Sequence, residues 1–270
     1  MSARSVLAVL RAEEHISISA LGTYLRCPRS FEHRYILRTP PSHRAGALAF
    51  GTAIHTALAL FYSHLMEGQP EPSAEDLADS FSDTWTRELD TDIPVLLDGK
   101  DTPDSARDMG VALVRVFHEQ APRPHKVLGV EEPFSIEVID PRTGTAFSER
   151  LVGVFDAVVR DEDGSCRILE HKTAARRWSQ TRLDHDLQVS GYTLAAPMVG
   201  LPAASVTLQV LLKTKAPALE LYHPTRTDRD RQDLLQVISG VLCAIKVGAF
   251  YPIRDWPYQS CPYAGPCMAG

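Results

Sequence analysis

Two short segments carry the strongest signal in the sequence: Gly-Val-Phe-Asp at residues 153–156 and Ile-Leu-Glu-His-Lys at residues 168–172. The first is an apolar run that ends in an aspartate, and the second is an apolar run that ends in Glu-x-Lys, as expected where a strand leaves a buried core. If the two strands finish side by side, Asp156 and Glu170 come together with Lys172 beside them. Two carboxylates bind a divalent cation, and a lysine holds or activates a water next to it. This combination is the minimum needed to hydrolyse a phosphodiester.

The same residues also have a plainer interpretation. Asp156 suits the end of any strand, and Glu170 with Lys172 suits a cross-strand ion pair on a solvated face. Both acidic residues follow strongly apolar neighbours, however, and a charge in such a setting needs a partner because its desolvation is costly. On these residues alone, the ion site and the ion pair both stay open.

The composition is that of an ordinary globular protein. The 270 residues are 44% hydrophobic and 23% charged, which predicts one large domain or one domain with an appendage. No continuous apolar run approaches the roughly 20 residues that span a bilayer, and residues 1–16 lack the apolar core of a secretory signal. We therefore expect a cytoplasmic protein with no membrane partner. Five cysteines, an odd number, do not suggest a disulfide framework.

The spacing of apolar residues gives the order of the secondary-structure elements. The first 120 residues are predicted to be mostly helical. The predicted strands lie at 127–139, 147–159, 166–170, 206–212 and 219–222, and the later helices at 183–197 and 227–247. Helices followed by β-β-β-α-β-β and a last helix are typical of an α/β or α+β fold.

One further side chain and one main-chain group fit a metal site, and two other side chains fit a supporting role. His55 lies at the edge of an apolar helical stripe, where a histidine usually packs against the core, but as a third ligand its imidazole would favour Mn²⁺ over Mg²⁺. The main-chain carbonyl of His171 would also point toward the site. Gln188 and Tyr192, four residues apart, share one helical face. They either form an ordinary polar face or steady Lys172 and touch a phosphate.

Five motifs in order resemble those of the PD-(D/E)XK nuclease superfamily, and within it the RecB-like exonuclease group. That group includes the CRISPR-associated adaptation nucleases and AddB-type helicase-nucleases. The resemblance extends from residue 18 to residue 267. The motifs are the N-terminal helix at 19–35, the histidine motif at 51–55, the acidic motif at 153–156, E-x-K at 170–172 and Q-x-x-x-Y at 188–192.

The resemblance implies an α/β, restriction-endonuclease-like fold: a mixed central sheet flanked by helices, with an N-terminal helical arch. Residues 1–270 would form a single nuclease domain with a helical part at 17–121, a catalytic core at 125–225 and a C-terminal part at 226–270. It also implies Mg²⁺ or Mn²⁺ bound by His55, Asp156, Glu170 and the His171 carbonyl. Lys172 would be the catalytic lysine, and Gln188 and Tyr192 would support it.

The implied substrate is DNA, single-stranded or with free ends, cleaved by an exonuclease in DNA repair, recombination, phage biology or defence. The net charge of −6 gives no overall sign of nucleic-acid binding. In the resemblance, Arg26, Arg29 and Arg34 would contact phosphates, and otherwise they form a solvated helix face. The alternative function is a non-catalytic DNA-binding or assembly subunit of a helicase-nuclease or CRISPR-type complex. A helicase or a CRISPR or repair protein is a possible further partner, and because the chain has no phosphate-binding P-loop motif, any ATP-driven motor would be another chain.

Three cysteines match part of the cluster motif that many members of this group carry. Cys27 fits its early position and Cys261 and Cys267 fit its last two, but the remaining position is Tyr258. A [4Fe–4S] cluster ordinarily needs four thiolates. Three interpretations stay open: a three-cysteine or water-ligated cluster, a zinc site completed by another residue, or a tail that simply packs on the N-terminal helix.

Overall fold

A computed structural model describes residues 9–10, 12–99, 101–201, 204–254 and 260–269. The chain divides into two compact units. The first unit contains residues 1–43, 133–153 and 226–270, and the second contains residues 44–132 and 154–225. The single nuclease domain stays a prediction.

The order of the elements in the second half of the chain is the predicted one, with three strands, a helical segment, two strands and a long helix. The helices are α1 (Ile18–Arg26), α2 (Pro28–Phe31, continued by a π-helical turn at Glu32–Ile36), α3 (Gly46–Glu67), α4 (Ala74–Leu89), α5 (Pro103–Gln120), α6 (Gln180–Asp184), α7 (Leu187–Ala195, continued by a 3₁₀ turn at Ala196–Val199), α8 (Asp228–Lys246) and α9 (Ala264–Ala269). The strands are β1 (His15–Ser17), β2 (Arg44–Ala45), β3 (Val95–Leu96), β4 (Lys126–Ile136), β5 (Arg150–Arg160), β6 (Cys166–Ala174), β7 (Ser205–Leu212) and β8 (Ala218–Tyr222).

The predicted mixed sheet is confirmed. In the second unit β5 pairs antiparallel with β6, β6 parallel with β7, and β7 antiparallel with β8. β4 also pairs with β5, and in the first unit β1 runs parallel to the start of β5. β6 and β7 are parallel because the chain between them crosses over through α6 and α7, as parallel neighbours require.

Helices cover both faces of β6 in the second unit. Successive side chains of a strand point to opposite faces. The ring of His171 stacks on Tyr62 of α3 at 5.4 Å between ring centroids, whereas Glu170 contacts Tyr192 of α7. The flanked central sheet of the α/β prediction is therefore present, and the N-terminal arch stays a prediction.

The helix α3 is the central core helix of the second unit. By length and composition alone it could cross a membrane, since one 18-residue window has a mean hydropathy of 1.3. Half of that window is buried, and Ile54, Leu58 and Phe61 have no exposed surface. Such burial is typical of a core helix, and core helices can be as long and as apolar as a membrane span.

Two predicted boundaries are wrong. The third core strand was expected to end at Glu170, but β6 continues to Ala174 because its parallel pairing with β7 extends that far. The helix expected at 183–197 is interrupted: α6 ends at Asp184, and Asp186 starts α7 as its N-cap. The Asp186 side chain accepts hydrogen bonds from two main-chain N–H groups in the first turn of α7. This capping favours the start of a second helix over the continuation of α6.

Candidate active site

The two acidic residues of the sequence motifs lie where the pairing of β5 with β6 ends. The antiparallel register runs from Arg160 to Ala157 on β5, and the next residue is Asp156. There Oδ2 of Asp156 accepts a hydrogen bond of 2.7 Å from the main-chain N–H of His171. Both Asp156 and Glu170 are buried, at 8% and 1% exposure. The structure therefore brings both motifs to one point.

His55 reaches the same point from α3. Its Nδ1 lies 3.3 Å from Oδ1 of Asp156, so this carboxylate contacts the imidazole with one oxygen and the His171 N–H with the other. Burial acts to lower the pKa of His55, but the charge of Asp156 and the hydrogen bond to it outweigh burial and raise this pKa to about 9. The pair also affects Asp156. Burial acts to raise the pKa of Asp156, but the charge of His55 and the hydrogen bond to it hold this pKa below its usual range.

Glu170, Lys172, Gln188 and Tyr192 form a chain of hydrogen bonds. Oε1 of Glu170 forms an ion pair with Nζ of Lys172, and Nζ donates to Oε1 of Gln188 at 2.7 Å. Nε2 of Gln188 donates to the hydroxyl of Tyr192 at 2.8 Å, and that hydroxyl lies 2.6 Å from Oε2 of Glu170. The spacing of Gln188 and Tyr192 on one turn of α7 makes both contacts possible.

Burial and neighbouring charges together set the charge states of this network. Burial and the nearby charge of Asp156 raise the pKa of Glu170 to about 7, against the opposing effect of Lys172. Burial acts to lower the pKa of Lys172, but the charge of Glu170 outweighs it and raises this pKa above its usual value. Lys172 is therefore a charged donor near neutral pH, not a free base.

His171 is buried between aromatic rings on the opposite face of β6. Its ring stacks on Tyr62 with an interplanar angle of 13° and meets the edge of Phe117 at 6.1 Å. Burial lowers its pKa to about 4, so the imidazole is neutral at physiological pH. The packed ring holds the adjacent peptide groups of β6, including the N–H that binds Asp156.

The sequence analysis missed Glu131. A carboxylate oxygen of Glu131 on β4 lies within 4.8 Å of ligand atoms of both His55 and Asp156. Its main chain has a φ of 50°, which is uncommon for a residue other than glycine and turns the side chain out of the normal strand alternation. The signal available in the sequence was the pair Glu131-Glu132, which interrupts an otherwise strand-like run.

The donor set fits a hard divalent cation. His55, Glu131 and Asp156 offer one nitrogen and two carboxylate oxygens in a compact group, and carboxylates with an imidazole suit Mg²⁺ or Mn²⁺. Glu170 lies outside that compact group, with Oε1 directed to Lys172. That Oε1 is buried, and apart from the ion pair it accepts no hydrogen bond from a described residue.

The three arginines expected to contact DNA lie in the first unit. Arg29 forms an ion pair of 2.6 Å with Glu32, and the guanidinium of Arg34 lies 5.4 Å from the centroid of the Tyr35 ring. Arg26 is exposed in the last turn of α1. Their role in binding DNA stays a prediction.

The cysteines Cys27, Cys261 and Cys267 are free thiols in the first unit. Within the described part of the chain, their sulfur atoms do not form a group of ligand atoms within 4.8 Å of one another, as a zinc site would need. The main-chain N–H of Ile253 donates to Sγ of Cys27 at 3.4 Å. Tyr258, at the fourth position of the cluster motif, lies outside the described residues.

Other contacts hold the C-terminal segment to the N-terminal one in this unit. The ring of Tyr263 stacks on His33 at 5.6 Å, and Ser42 donates to the carbonyl of Pro262 at 3.0 Å. Nε2 of His43 lies 3.2 Å from the carbonyl of Ser260. These contacts require neither a cluster nor zinc.

Comparisons with known proteins bear on the fold and the family of the chain. No curated protein matches the chain. The crystal structure of a candidate exonuclease from Eubacterium rectale is 12% identical, with a TM-score of 0.54 over 95% of this chain and 88% of that one. At this identity the likeness shows the fold alone. The structure of SSO0001 is 13% identical over 95% of this chain and 87% of that one, but its TM-score of 0.44 carries no weight. The profile of one family matches residues 15–268, and the chain accordingly belongs to the PD-(D/E)XK nuclease superfamily.

Proposed function

We propose that the protein is a divalent-metal-dependent deoxyribonuclease that hydrolyses DNA phosphodiester bonds from an end, as an exonuclease. The observation that carries this proposal is the meeting of His55 and Asp156 at the end of the β5–β6 ladder, next to the ion pair of Glu170 with a charged lysine. Membership of a nuclease superfamily supports it. Buried charges in such number are costly unless a ligand compensates them.

In this proposal His55, Asp156, Glu170 and the His171 carbonyl hold Mg²⁺ or Mn²⁺, and Glu131 adds a further oxygen. The bound cation would stabilise charge on the phosphate and lower the pKa of the attacking water. The imidazole of His55 favours Mn²⁺ relative to Mg²⁺. To bind the cation His55 must lose its proton, and Glu170 must exchange part of its contact with Lys172 for the metal.

Lys172 then serves as a cationic donor. Gln188 fixes its Nζ at 2.7 Å, and the neighbouring charge of Glu170 keeps it protonated. A protonated amine beside the scissile phosphate stabilises the negative charge that develops there and orients the attacking water. Tyr192, held by Gln188 and in contact with Oε2 of Glu170, fixes the second carboxylate. Gln188 and Tyr192 are therefore positioning residues.

We further propose that the protein acts in the cytoplasm on single-stranded DNA or on DNA with free ends. Five free thiols support a reducing compartment. The processes that use this chemistry are DNA repair, recombination, phage replication and defence. A helicase, CRISPR or repair protein would be its partner.

The test is an assay with an end-labelled linear oligodeoxynucleotide and a closed circular single strand of the same composition. With Mn²⁺ the wild-type protein should shorten the linear strand stepwise and leave the circle intact, and Glu170→Gln should cleave neither strand. Cleavage of the circle would contradict the proposal that the protein is an exonuclease, but not the proposal that it is a nuclease, because a circle has no end. A protein that binds both strands and cleaves neither would instead support the non-catalytic alternative.

A further inference from the structure

Positive charge is concentrated at the carboxyl ends of β6 and β7. The loop at residues 175–179, after β6, contains Arg176 and Arg177, and the loop at 213–217, after β7, contains Lys213 and Lys215. Neither loop contains an acidic residue, although the whole chain has a net charge of −6. We call these two loops the basic rim.

The two loops of the basic rim are neighbours because β6 and β7 are parallel. The last paired residues are Ala174 and Leu212, and the N–H of Lys213 donates to the carbonyl of Ala174 at 2.8 Å. Lys172 lies on β6 two residues before this end, about 7 Å along the strand. The rim therefore begins next to the candidate active site and in the same unit.

Both loops are held in place by their own contacts. Trp178 is 6% exposed, and its main-chain N–H donates to the hydroxyl of Tyr222 at 3.1 Å. The guanidinium of Arg182 lies 3.7 Å from the centroid of the Trp178 ring and adds a further cation. In the second loop Thr214 donates to the carbonyl of Ala216 at 2.5 Å. A surface ordered in advance loses less entropy when it binds a ligand.

Two of the four loop cations have other contacts and two do not. Arg177 forms an ion pair of 2.6 Å with Glu220, and Nζ of Lys213 lies 5.2 Å from the centroid of the Phe50 ring. Arg176 and Lys215 are exposed, and neither forms an ion pair with a described residue. Like charges gathered without counterions attract anions, most of all a polyanion.

We propose that the basic rim binds the sugar–phosphate backbone of the DNA strand that is cleaved in the candidate active site next to Lys172. The identity of the ligand rests on the proposed function. An arginine fork binds a phosphate through two hydrogen bonds and a lysine binds it as a point charge, so the rim would hold the strand whatever its sequence. Arg176 and Lys215 carry the free charge for this contact.

The experiment measures the binding of a fluorescein-labelled single-stranded oligodeoxynucleotide by fluorescence anisotropy, with a chelator present so that no cleavage occurs. The slope of log affinity against log salt is compared for the wild type and for Arg176→Ala/Lys215→Ala. The loss of two phosphate contacts should reduce the magnitude of the slope by about 1.4, since each contact to a single strand contributes about 0.7. With Mn²⁺, KM should rise and kcat at saturating DNA should not change.

The charge-matched control is Arg107→Ala/Arg160→Ala. Arg160 is exposed and pairs with Cys166, at the opposite end of β6 from the rim. Gln120, at the end of α5, lies near the rim because its side chain accepts a hydrogen bond from the main-chain N–H of Leu219. Arg107 lies 13 residues before Gln120, which is about 20 Å along the helix. The control should keep the wild-type slope.

Equal slopes for the two double variants would overturn the proposal, and so would a wild-type protein that fails to bind the oligonucleotide. A slope that falls only in the rim variant supports it, even in a protein that proves unable to cleave DNA. Cleavage that depends on Glu170 together with an unchanged rim slope would leave the nuclease proposal standing and reject the rim.

Discussion

The main-chain N–H of His171 donates a hydrogen bond to Oδ2 of Asp156 at 2.7 Å, one position beyond the last ladder pair of β5 and β6. A side chain of β5 thus replaces the ladder as the partner of β6 at this point. This hydrogen bond ties the Asp156 carboxylate on β5 to the main chain of β6 next to Glu170. A movement of one strand would therefore displace the acidic residue of the other. This coupling holds two like charges close together in a buried site.

The first prediction concerns Asp156→Asn. The amide oxygen can still accept the His171 N–H, but the negative charge that raises the pKa of His55 is gone. We expect this pKa to fall from about 9 to near or below the ordinary value of 6.5, since burial then dominates. A pH titration of the His55 ring by NMR measures it. An unchanged pKa would mean that Asp156 is not its partner in solution.

The second prediction follows from the same pair in the absence of metal. The pKa of His55 is raised on folding, so its contribution to stability is fully present below pH 6.5 and is lost as the pH rises through about 9. The free energy of unfolding of the wild type, minus that of His55→Gln, should fall across this window in denaturant titrations. A difference that is constant with pH would contradict the ion pair.

The third prediction concerns Tyr192→Phe. This variant keeps the ring of Tyr192 packed against Phe155 but removes the hydroxyl that contacts Glu170. A buried acceptor left without its donor costs about 1–3 kcal/mol. We expect a weaker apparent affinity for Mn²⁺ in the cleavage assay, with the rate partly restored at high Mn²⁺. A rate lowered equally at every Mn²⁺ concentration would argue against this positioning role.

The fourth prediction concerns the C-terminal segment of the first unit. Because Tyr263 stacks on His33 and the tail makes main-chain contacts, docking should not depend on the thiols. Tyr263→Ala should lower the stability by about 2 kcal/mol, whereas Cys27→Ser/Cys261→Ser/Cys267→Ser should change it by less than about 1 kcal/mol. Calorimetry compares them.

Iron and sulfide analysis of anaerobically purified protein is the matching control. We expect less than one cluster per chain. A full cluster, together with a triple variant less stable than Tyr263→Ala, would contradict a tail held by its own packing.

The sequence predicted the elements that carry the site because each had a local signal. The apolar runs before Asp156 and Glu170 identified β5 and β6, and the four-residue spacing of Gln188 and Tyr192 placed both on one helical face. Such patterns depend on a few neighbouring residues and survive in a single sequence.

The features that were missed depend on the folded chain. Glu131 lies near His55 and Asp156 at a position where the main chain takes a positive φ, and the residue type predicts neither feature. The sequence left open whether Glu170 pairs with Lys172 or binds an ion, and spacing alone could not show the ion pair that the folded chain forms. The pairing of β6 beyond Glu170 depends on β7, about 40 residues later in the chain.

The most direct test of the catalytic site is Lys172→Ala, assayed under single-turnover conditions with an end-labelled single strand and Mn²⁺. Removing a charged donor from the reacting phosphate should lower the cleavage rate by about 10²–10³-fold. Binding of the same strand, measured in chelator, should stay within a few-fold of wild type. A variant that cleaves at the wild-type rate would contradict the central claim that this lysine and its two carboxylates form the catalytic centre.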